Sequence, residues 1–140
     1  GMGVTVHVNA PVKEVGEGFV VAGNERIDAS VIVWAAGVEG SPVLKTLLGA
    51  PLDKGGRVQV APDLSVPGYT EVFAAGDLVS LADAKGVRVP GVAPAANQMG
   101  RHIARQIKAD LNGKARTPFV YTDKGTMATI GRSAAVAMVK

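Results

Sequence analysis

The chain has 140 residues, a length that suits one domain or parts of two. Hydrophobic residues make up 47% of the sequence and charged residues 19%, so the composition predicts a folded core and not a disordered chain. Because cysteine is absent, disulfides, thiolate metal sites, iron–sulfur clusters and cysteine catalysis are excluded within this chain.

The net charge of +3 is distributed unevenly along the sequence. Residues 1–70 carry five basic and seven acidic side chains, whereas residues 71–140 carry ten and five. The basic stretch 101–116 contains no aromatic residue that could stack on a base, so we expect a solvated helix face and no nucleic-acid binding.

The first residues predict short strands joined by glycine turns. Val4 to Val8 alternates apolar and polar residues, which is typical of a strand with one buried face. Val12 to Val15 and Phe19 to Ala22 are two further candidate strands, and Gly16 to Gly18 between them is a hairpin signal. Gly23-Asn24 predicts a second turn.

The middle of the chain predicts strands that alternate with a short helix. Val31 to Ala36 is a continuous β-branched run, which favours a parallel strand covered on both faces. Residues 41–50 predict a short helix capped by Ser41. One strand is expected around Arg57 to Val60, and Glu71 to Ala75 is a further apolar run.

The longest predicted element is a helix from about Ala95 to Asn112, with Pro94 at its entrance and Gly113 at its exit. Its expected apolar side recurs every three or four residues: Ala96, Met99, Ile103, Ile107 and Leu111. Three terminal strands are predicted after it: Phe119 to Tyr121, Met127 to Ile130 and Ala134 to Val139.

Three segments carry candidate binding chemistry. Trp34 to Val38 ends the buried run, at the edge of a sheet where ligands collect in parallel folds. Pro67 to Asp77 places Gly76 and an acid after a short strand, where the carboxylate can accept a hydrogen bond from a sugar or polyol hydroxyl. Val92 to Gly100 is a small-residue entry to the long helix, whose N-terminus favours negative charge on a ring.

Each segment also has an ordinary structural interpretation. Trp34 to Val38 can be a plain strand-to-loop turn, and Asp77 can be a capping residue in a turn. The alanines at the start of the helix can simply allow close packing. The residues alone leave these alternatives open.

In this order and at these separations, the three segments resemble the C-terminal half of flavoprotein pyridine-nucleotide oxidoreductases. They are most similar to the type II NADH dehydrogenase family, single-chain FAD enzymes that pass electrons from NADH to quinone. The resemblance covers residues 4–135. It implies an α/β fold, a partial version of the two-dinucleotide-binding flavoprotein architecture. Residues 1–38 would be the tail of the nicotinamide-binding domain. Residues 39–112 would be the closing part of the FAD domain, and residues 113–140 would be a C-terminal β segment.

The resemblance also implies roles for individual residues. Asp77 would hold the ribityl chain of FAD, and Gln98 would lie at the flavin or quinone face. The backbone of four residues would face the flavin: Gly76, Leu78, Ala95 and Ala96. Ala36 and Gly37 would lie near the junction of the two cofactors. Pro94 stands where the family usually has a glutamine, so one quinone contact is not carried over. No catalytic or metal-binding residue is assigned.

The sequence contains no Gly-x-Gly-x-x-Gly motif, which in the family cradles the pyrophosphates of FAD and NADH. With Gly1-Met2-Gly3 at the start and the apolar end from Val136, this predicts a segment of a longer protein. We therefore expect little activity and weak FAD affinity from the chain alone, and self-association through uncovered strand edges. The whole protein is expected to be cytoplasmic, attached peripherally to the inner face of the membrane through segments outside this sequence.

Two alternatives to an NADH:quinone oxidoreductase remain at this stage. One is another pyridine-nucleotide flavin reductase, such as a ferredoxin-reductase-like enzyme. The other is a non-catalytic module that kept the scaffold and lost the cofactor. A sulfide–quinone reductase is disfavoured because its chemistry needs cysteines.

Overall fold

The computed structural model describes residues 3–46, 49–83 and 86–139. The chain divides into two compact units, Gly1–Gly37 and Val38–Lys140. The first unit is an antiparallel β meander, and the second combines short strands with one long helix.

The meander of the first unit consists of β1 (Val12–Gly16), β2 (Phe19–Ala22) and β3 (Glu25–Asp28) in the order β1-β2-β3. The first two strands and both turns are as predicted. Gly18 adopts φ +76°, a left-handed conformation that glycine tolerates at no steric cost. The third strand was not predicted, because it contains a single apolar residue, Ile27. It is held by full antiparallel pairing with β2.

Two predicted strands of this unit are wrong. Val4 to Val8 and Val31 to Ala36 form no strand, and their side chains are exposed except for the half-buried Ile32, with 78% of Val31 and 65% of Trp34 accessible. A strand is completed by the backbone groups of a neighbour, and no described strand pairs with either segment. Their β-branched residues favour a strand locally, but no neighbouring strand among the described residues completes it.

The second unit is built around one helix, α1 (Ala93–Leu111). Two short strands, β4 (Val58–Gln59) and β7 (Val79–Ser80), pair in parallel. β5 (Ser65–Val66) and β6 (Tyr69–Phe73) pair antiparallel. The chain ends in an antiparallel hairpin of β8 (Thr126–Ile130) and β9 (Ala134–Met138).

The core of the second unit lies between α1 and the short strands. Leu64, Val58 and Val66 are fully buried at its centre. Further buried residues complete the cluster: Leu44, Val79, Leu81, Met99 and Phe119. Burial of this apolar surface is the main source of stability for this unit.

Several predicted elements are shorter or displaced. The helix expected over 41–50 is a 3-10 helix at Pro42–Thr46, and Leu47 and Leu48 lie outside the described residues. The strand expected at Arg57 to Val60 is reduced to β4. The run Glu71 to Ala75 overlaps β6, which begins two residues earlier and ends at Phe73.

The long helix is as predicted in extent, and of its predicted buried face Met99 and Ile103 do contact the core, whereas the part formed by Ile107 and Leu111 is wrong. The buried residues of α1 are Ala95, Met99, His102 and Gln106, whereas Ile107 is 45% and Leu111 is 83% exposed. Two polar side chains therefore occupy the inward face, because they hydrogen-bond the segment that follows the helix. No helix within the described ranges has the length and apolarity to cross a membrane.

The strand predicted at Phe119 to Tyr121 is also wrong. This stretch has no strand partner among the described residues, although Phe119 is buried and its N–H donates to Pro62 O over 2.8 Å. Helix side chains bond the backbone of two flanking residues, Thr117 and Thr122. The two strands of the terminal hairpin are confirmed.

Candidate functional site

Asp77 lies in a tight turn between β6 and β7. The turn is a short 3-10 helix, Gly76–Leu78, and Gly76 enters it at φ +72°. This left-handed conformation favours glycine, so the sequence Gly-Asp fits the turn. The Asp77 side chain is exposed, and the half-buried Leu78 side chain packs against the core. The turn thus exposes the Asp77 carboxylate, while Leu78 anchors the turn to the core.

The turn packs directly on the first half of α1. The Gly76 N–H lies 3.3 Å from Met99 Sδ, and a Cβ added at Gly76 would lie 3.4 Å from Ala96 Cβ. A Cβ added at Gly91 would lie 3.2 Å from Asp77 Oδ1. The Asp77 carboxylate therefore lies beside the segment that leads into α1, and the missing side chain of Gly91 leaves room around it.

The start of α1 is formed by backbone alone. Val92, the residue before the helix, has no side chain that can cap it, and its carbonyl accepts hydrogen bonds from the N–H groups of Ala95 (3.0 Å) and Ala96 (3.1 Å). Pro94 in the first turn lacks an N–H donor that the helix would have to satisfy. The start of α1 therefore combines small side chains with the positive end of the helix dipole.

A cavity of about 290 Å³ opens at this helix start. Its walls are Val92, Ala93 and Pro94 on one side and Gly125, Thr126 and Met127 of the terminal hairpin on the other. A second cavity, of about 410 Å³, shares Pro94 and the same hairpin residues and extends along β9. The arrangement can receive an apolar, flat group against the helix start.

Polar side chains one turn apart on α1 hold the segment 117–122. Gln98 donates from Nε2 to Thr122 O and accepts from Thr122 N at Oε1, both over 3.0 Å. His102 Nε2 lies 2.9 Å from Thr117 O. Gln106 Oε1 accepts from Thr117 N over 2.7 Å. Burial, only partly offset by the Thr117 bond, lowers the pKa of His102, and nearby Arg105 adds to the effect.

A second polar network lies at the far end of α1. The Arg116 guanidinium bonds Asp110 and, over 3.0 Å, Asp63, and it donates to Thr70 O over 2.9 Å. Burial opposes ionisation of Asp63, but hydrogen bonds from Ser65 and Arg116 outweigh it and hold the pKa of that carboxyl below its usual range. The network secures β6, which leads into the Asp77 turn.

The residues proposed from the resemblance are distributed as follows. Gly76, Asp77 and Leu78 form the turn, and Ala96 touches Gly76, whereas the side chain of Ala95 is 1% exposed and faces the core. Gln98 lies one turn further, with both amide atoms bonded to Thr122. Ala36 and Gly37 are exposed and belong to the first unit.

The hairpin residues Gly125, Thr126 and Met127 were missed by the sequence analysis. They lie more than thirty positions from Val92, so no local pattern joins them to the helix start. Their strand was predicted, but its contribution to a cavity depends on tertiary packing. Within the described part of the chain, no group of three His, Asp or Glu side chains could hold a metal ion.

Comparison with known proteins places this arrangement in a family. Residues 1–100 match the family model described as pyridine nucleotide-disulphide oxidoreductase. The chain is 41% identical to the type II NADH:quinone oxidoreductase Ndh of Mycobacterium tuberculosis, over 99% of this chain and 31% of the relative. It is 35% identical to the type II NADH:quinone oxidoreductase of Staphylococcus haemolyticus, over 98% of this chain and 35% of the relative.

Solved structures share the fold. The NAD-dependent persulfide reductase from A. fulgidus matches with a TM-score of 0.65 at 20% identity, over 86% of this chain and 22% of that one. The FAD-dependent pyridine nucleotide-disulphide oxidoreductase from Desulfovibrio vulgaris matches with a TM-score of 0.53 at 22% identity, over 86% and 30% of the two chains.

These matches confirm the resemblance to type II NADH dehydrogenases that the motifs indicated. The chain spans about a third of the length of the curated relatives it matches. The chain is a small α/β piece that matches a portion of the larger oxidoreductase structures. By the match over most of its length, the chain belongs to the pyridine nucleotide-disulphide oxidoreductase family.

Proposed function

We propose that this chain holds the ribityl and ring portion of FAD in an oxidoreductase that transfers electrons from NADH to quinone. One observation carries the proposal: the exposed Asp77 carboxylate lies on a fixed turn beside Gly91, next to the helix start of α1. An exposed carboxylate accepts hydrogen bonds from vicinal hydroxyls, and a helix start stabilises negative charge on a ring. The relatives named as NADH:quinone oxidoreductases support the reaction.

The residues at this site suit FAD. A side chain at Gly91 would crowd Asp77 Oδ1, so glycine there keeps the carboxylate accessible to a polyol. Val92, Ala93 and Pro94 offer a surface free of charge and long side chains, and Met127 faces them across the cavity. The glycine-rich loop that would cradle the pyrophosphate of FAD is not in this sequence, which has no Gly-x-Gly-x-x-Gly motif.

FAD, when bound, would supply the hydride-accepting and electron-donating chemistry of the reaction. Residues of this chain would bind and orient FAD. The Asp77 side chain would bind the ribityl hydroxyls, and the backbone of four residues would lie near the ring: Gly76, Leu78, Ala95 and Ala96. Gln98 would border the quinone side, and its bonds to Thr122 would fix the wall of that side. Ala36 and Gly37 would lie near the junction of the two cofactors.

The proposal extends to the whole oxidoreductase of which such a chain forms part. NADH and quinone would be its substrates, and it would attach peripherally to the cytoplasmic face of a membrane. For the chain by itself we propose self-association, because Val31, Val33 and Trp34 are exposed β-prone residues without a paired strand among those described.

A substitution at position 77 tests the proposed role of the carboxylate. We expect Asp77→Asn to weaken riboflavin binding by the 140-residue chain at least tenfold, because hydrogen bonds to a charged acceptor contribute about 1.5–3 kcal/mol. Quenching of flavin fluorescence measures the affinity. Glu71→Gln, which removes the same charge from an exposed position in β6, is the control and should change the affinity less than twofold.

FAD and riboflavin should bind the unsubstituted chain with similar affinity, since the glycine-rich loop that would cradle the FAD pyrophosphate beside this site is not in this sequence. Equal weakening by Asp77→Asn and Glu71→Gln would mean that general electrostatics governs binding, and would remove Asp77 from the site.

A further inference from the structure

Two exposed arginines lie one turn apart on α1. Arg26, Arg57, Arg88 and Arg116 each pair with an aspartate. Arg101 and Arg105 are exposed, and no carboxylate of the described residues lies within 4.0 Å of either guanidinium. Among the described residues the fold therefore pairs four guanidinium groups with carboxylates and leaves three without one: Arg101 and Arg105 on the helix, and Arg132 in the turn of the terminal hairpin.

The placement of the pair works against helix stability. Arg101 and Arg105 are four residues apart, so their side chains are neighbours on one helix face. Like charges at this spacing destabilise a helix. Burial lowers the pKa of His102, and the charge of Arg105 on the same helix adds to that lowering. The repulsion between Arg101 and Arg105 would be relieved by a bound ligand that carries negative charge, which would explain why both arginines are present.

Both arginines line the same cavity of about 260 Å³. Its remaining walls are Gln98, Phe119, Val120 and Thr122. The Gln98 amide is bonded on both sides to the Thr122 backbone, so this wall is fixed in place. The Thr122 side chain adds a hydroxyl, and no acidic residue lines the cavity. The cavity is thus a small recess with positive charge at its rim.

We propose that this recess is a binding site for a phosphate oxyanion, held between the guanidinium groups of Arg101 and Arg105. A guanidinium presents paired N–H donors that match two oxygens of a phosphate, and two such groups one helical turn apart can grip one anion. Thr122, which also lines the recess, carries a hydroxyl donor. The site is separate from Asp77 and does not depend on flavin binding.

Inorganic pyrophosphate and lipid vesicles are the probes for this site, because a free phosphate and a lipid headgroup share the same chemistry. The 140-residue chain is titrated at constant ionic strength while the side-chain Nε–H signals of its arginines are followed by NMR. Saturable shifts of the Arg101 and Arg105 signals are expected with pyrophosphate, with phosphatidylglycerol vesicles, or with both. Phosphatidylcholine vesicles provide the uncharged comparison.

The double variant Arg101→Gln/Arg105→Gln should weaken binding of the responding probe at least tenfold. Both side chains are exposed, so the variant is expected to fold as the original does. Lys114→Gln/Arg132→Gln removes the same charge from exposed positions and should change the affinity less than twofold. Arg→Lys at both positions should recover only part of the affinity, because lysine keeps the charge but not the paired donors.

A response to pyrophosphate alone assigns the site to a soluble phosphate, and a response to phosphatidylglycerol vesicles alone assigns it to a headgroup. The proposal is overturned if neither probe gives saturable shifts at these two arginines. It is equally overturned if both double variants lose affinity to the same extent, since binding would then follow net charge alone.

Discussion

Truncating Leu64 to alanine is expected to lower the free energy of unfolding by about 3 kcal/mol, within the range for buried leucines. The Leu64 side chain is fully buried at the centre of the core, next to Val58 and Val66. Its removal leaves a cavity that the surrounding strands can fill only in part, because β5 and β4 are two residues long and are fixed by their pairing. Urea unfolding of the 140-residue chain, followed by circular dichroism, measures the change.

The backbone conformation of Leu64 allows a second substitution to be compared with Leu64→Ala. Leu64 adopts φ +73°, a left-handed conformation that costs a non-glycine residue about 1 kcal/mol. Leu64→Gly should therefore be no less stable than Leu64→Ala, although it removes one carbon more. Leu111→Ala, at an 83% exposed position, is the control and should shift the free energy of unfolding by less than about 0.5 kcal/mol. A loss at Leu64 as small as the loss at Leu111 would contradict the described core.

Gln106→Ala is expected to lower the free energy of unfolding by about 2 kcal/mol and to loosen residues 117–122. Gln106 is 2% exposed, accepts from Thr117 N over 2.7 Å and donates to Thr117 Oγ1 over 3.3 Å. The substitution removes these bonds and leaves a gap beneath the segment. Hydrogen exchange of the amide groups of residues 117–122 should become faster in the variant.

Gln59→Ala is the matched control for this substitution. Gln59 is exposed and donates one hydrogen bond of 3.2 Å to Leu52 O, so its removal should change stability by less than about 1 kcal/mol. It should leave exchange in residues 117–122 unchanged. If Gln106→Ala leaves both stability and exchange at the level of this control, the helix does not hold the segment in the way described.

Local patterns predicted those elements whose partners are close in sequence. The hairpin of β1 and β2, the extent of α1 and the hairpin of β8 and β9 all follow from alternation, turn residues and helix periodicity. Val31 to Ala36 shows the limit of this reasoning. Its composition favours a buried strand, but a strand also needs a neighbour, and the described residues provide none.

The C-terminal half of the inward face of α1 was predicted wrongly for a different reason. Hydrophobicity assigned Ile107 and Leu111 to the buried side, whereas the structure buries His102 and Gln106. Polar side chains can face inward when backbone groups satisfy them, and Thr117 supplies those groups from beyond the helix. A pattern within the helix cannot show which backbone will lie against it.

The candidate site combines predictable and unpredictable parts. A glycine and an acid after a short apolar strand predicted the turn at Gly76-Asp77, and small residues predicted an open helix start. Two other features depend on contacts between segments that are distant in sequence. Gly91 passes beside the Asp77 carboxylate, and Met127 closes the cavity at the helix start. The family resemblance assigned roles to residues near the turn, but it gave no indication of the hairpin wall.

A map of flavin-induced amide shifts in the ¹⁵N-labelled 140-residue chain tests the central claim most directly. Titration with riboflavin should produce saturable shifts centred on residues 75–78 and 91–97, with a weaker response in residues 125–127. Shifts confined to other parts of the chain, or an absence of saturable shifts at the Asp77 turn, would contradict the assignment of this turn and helix start to the flavin.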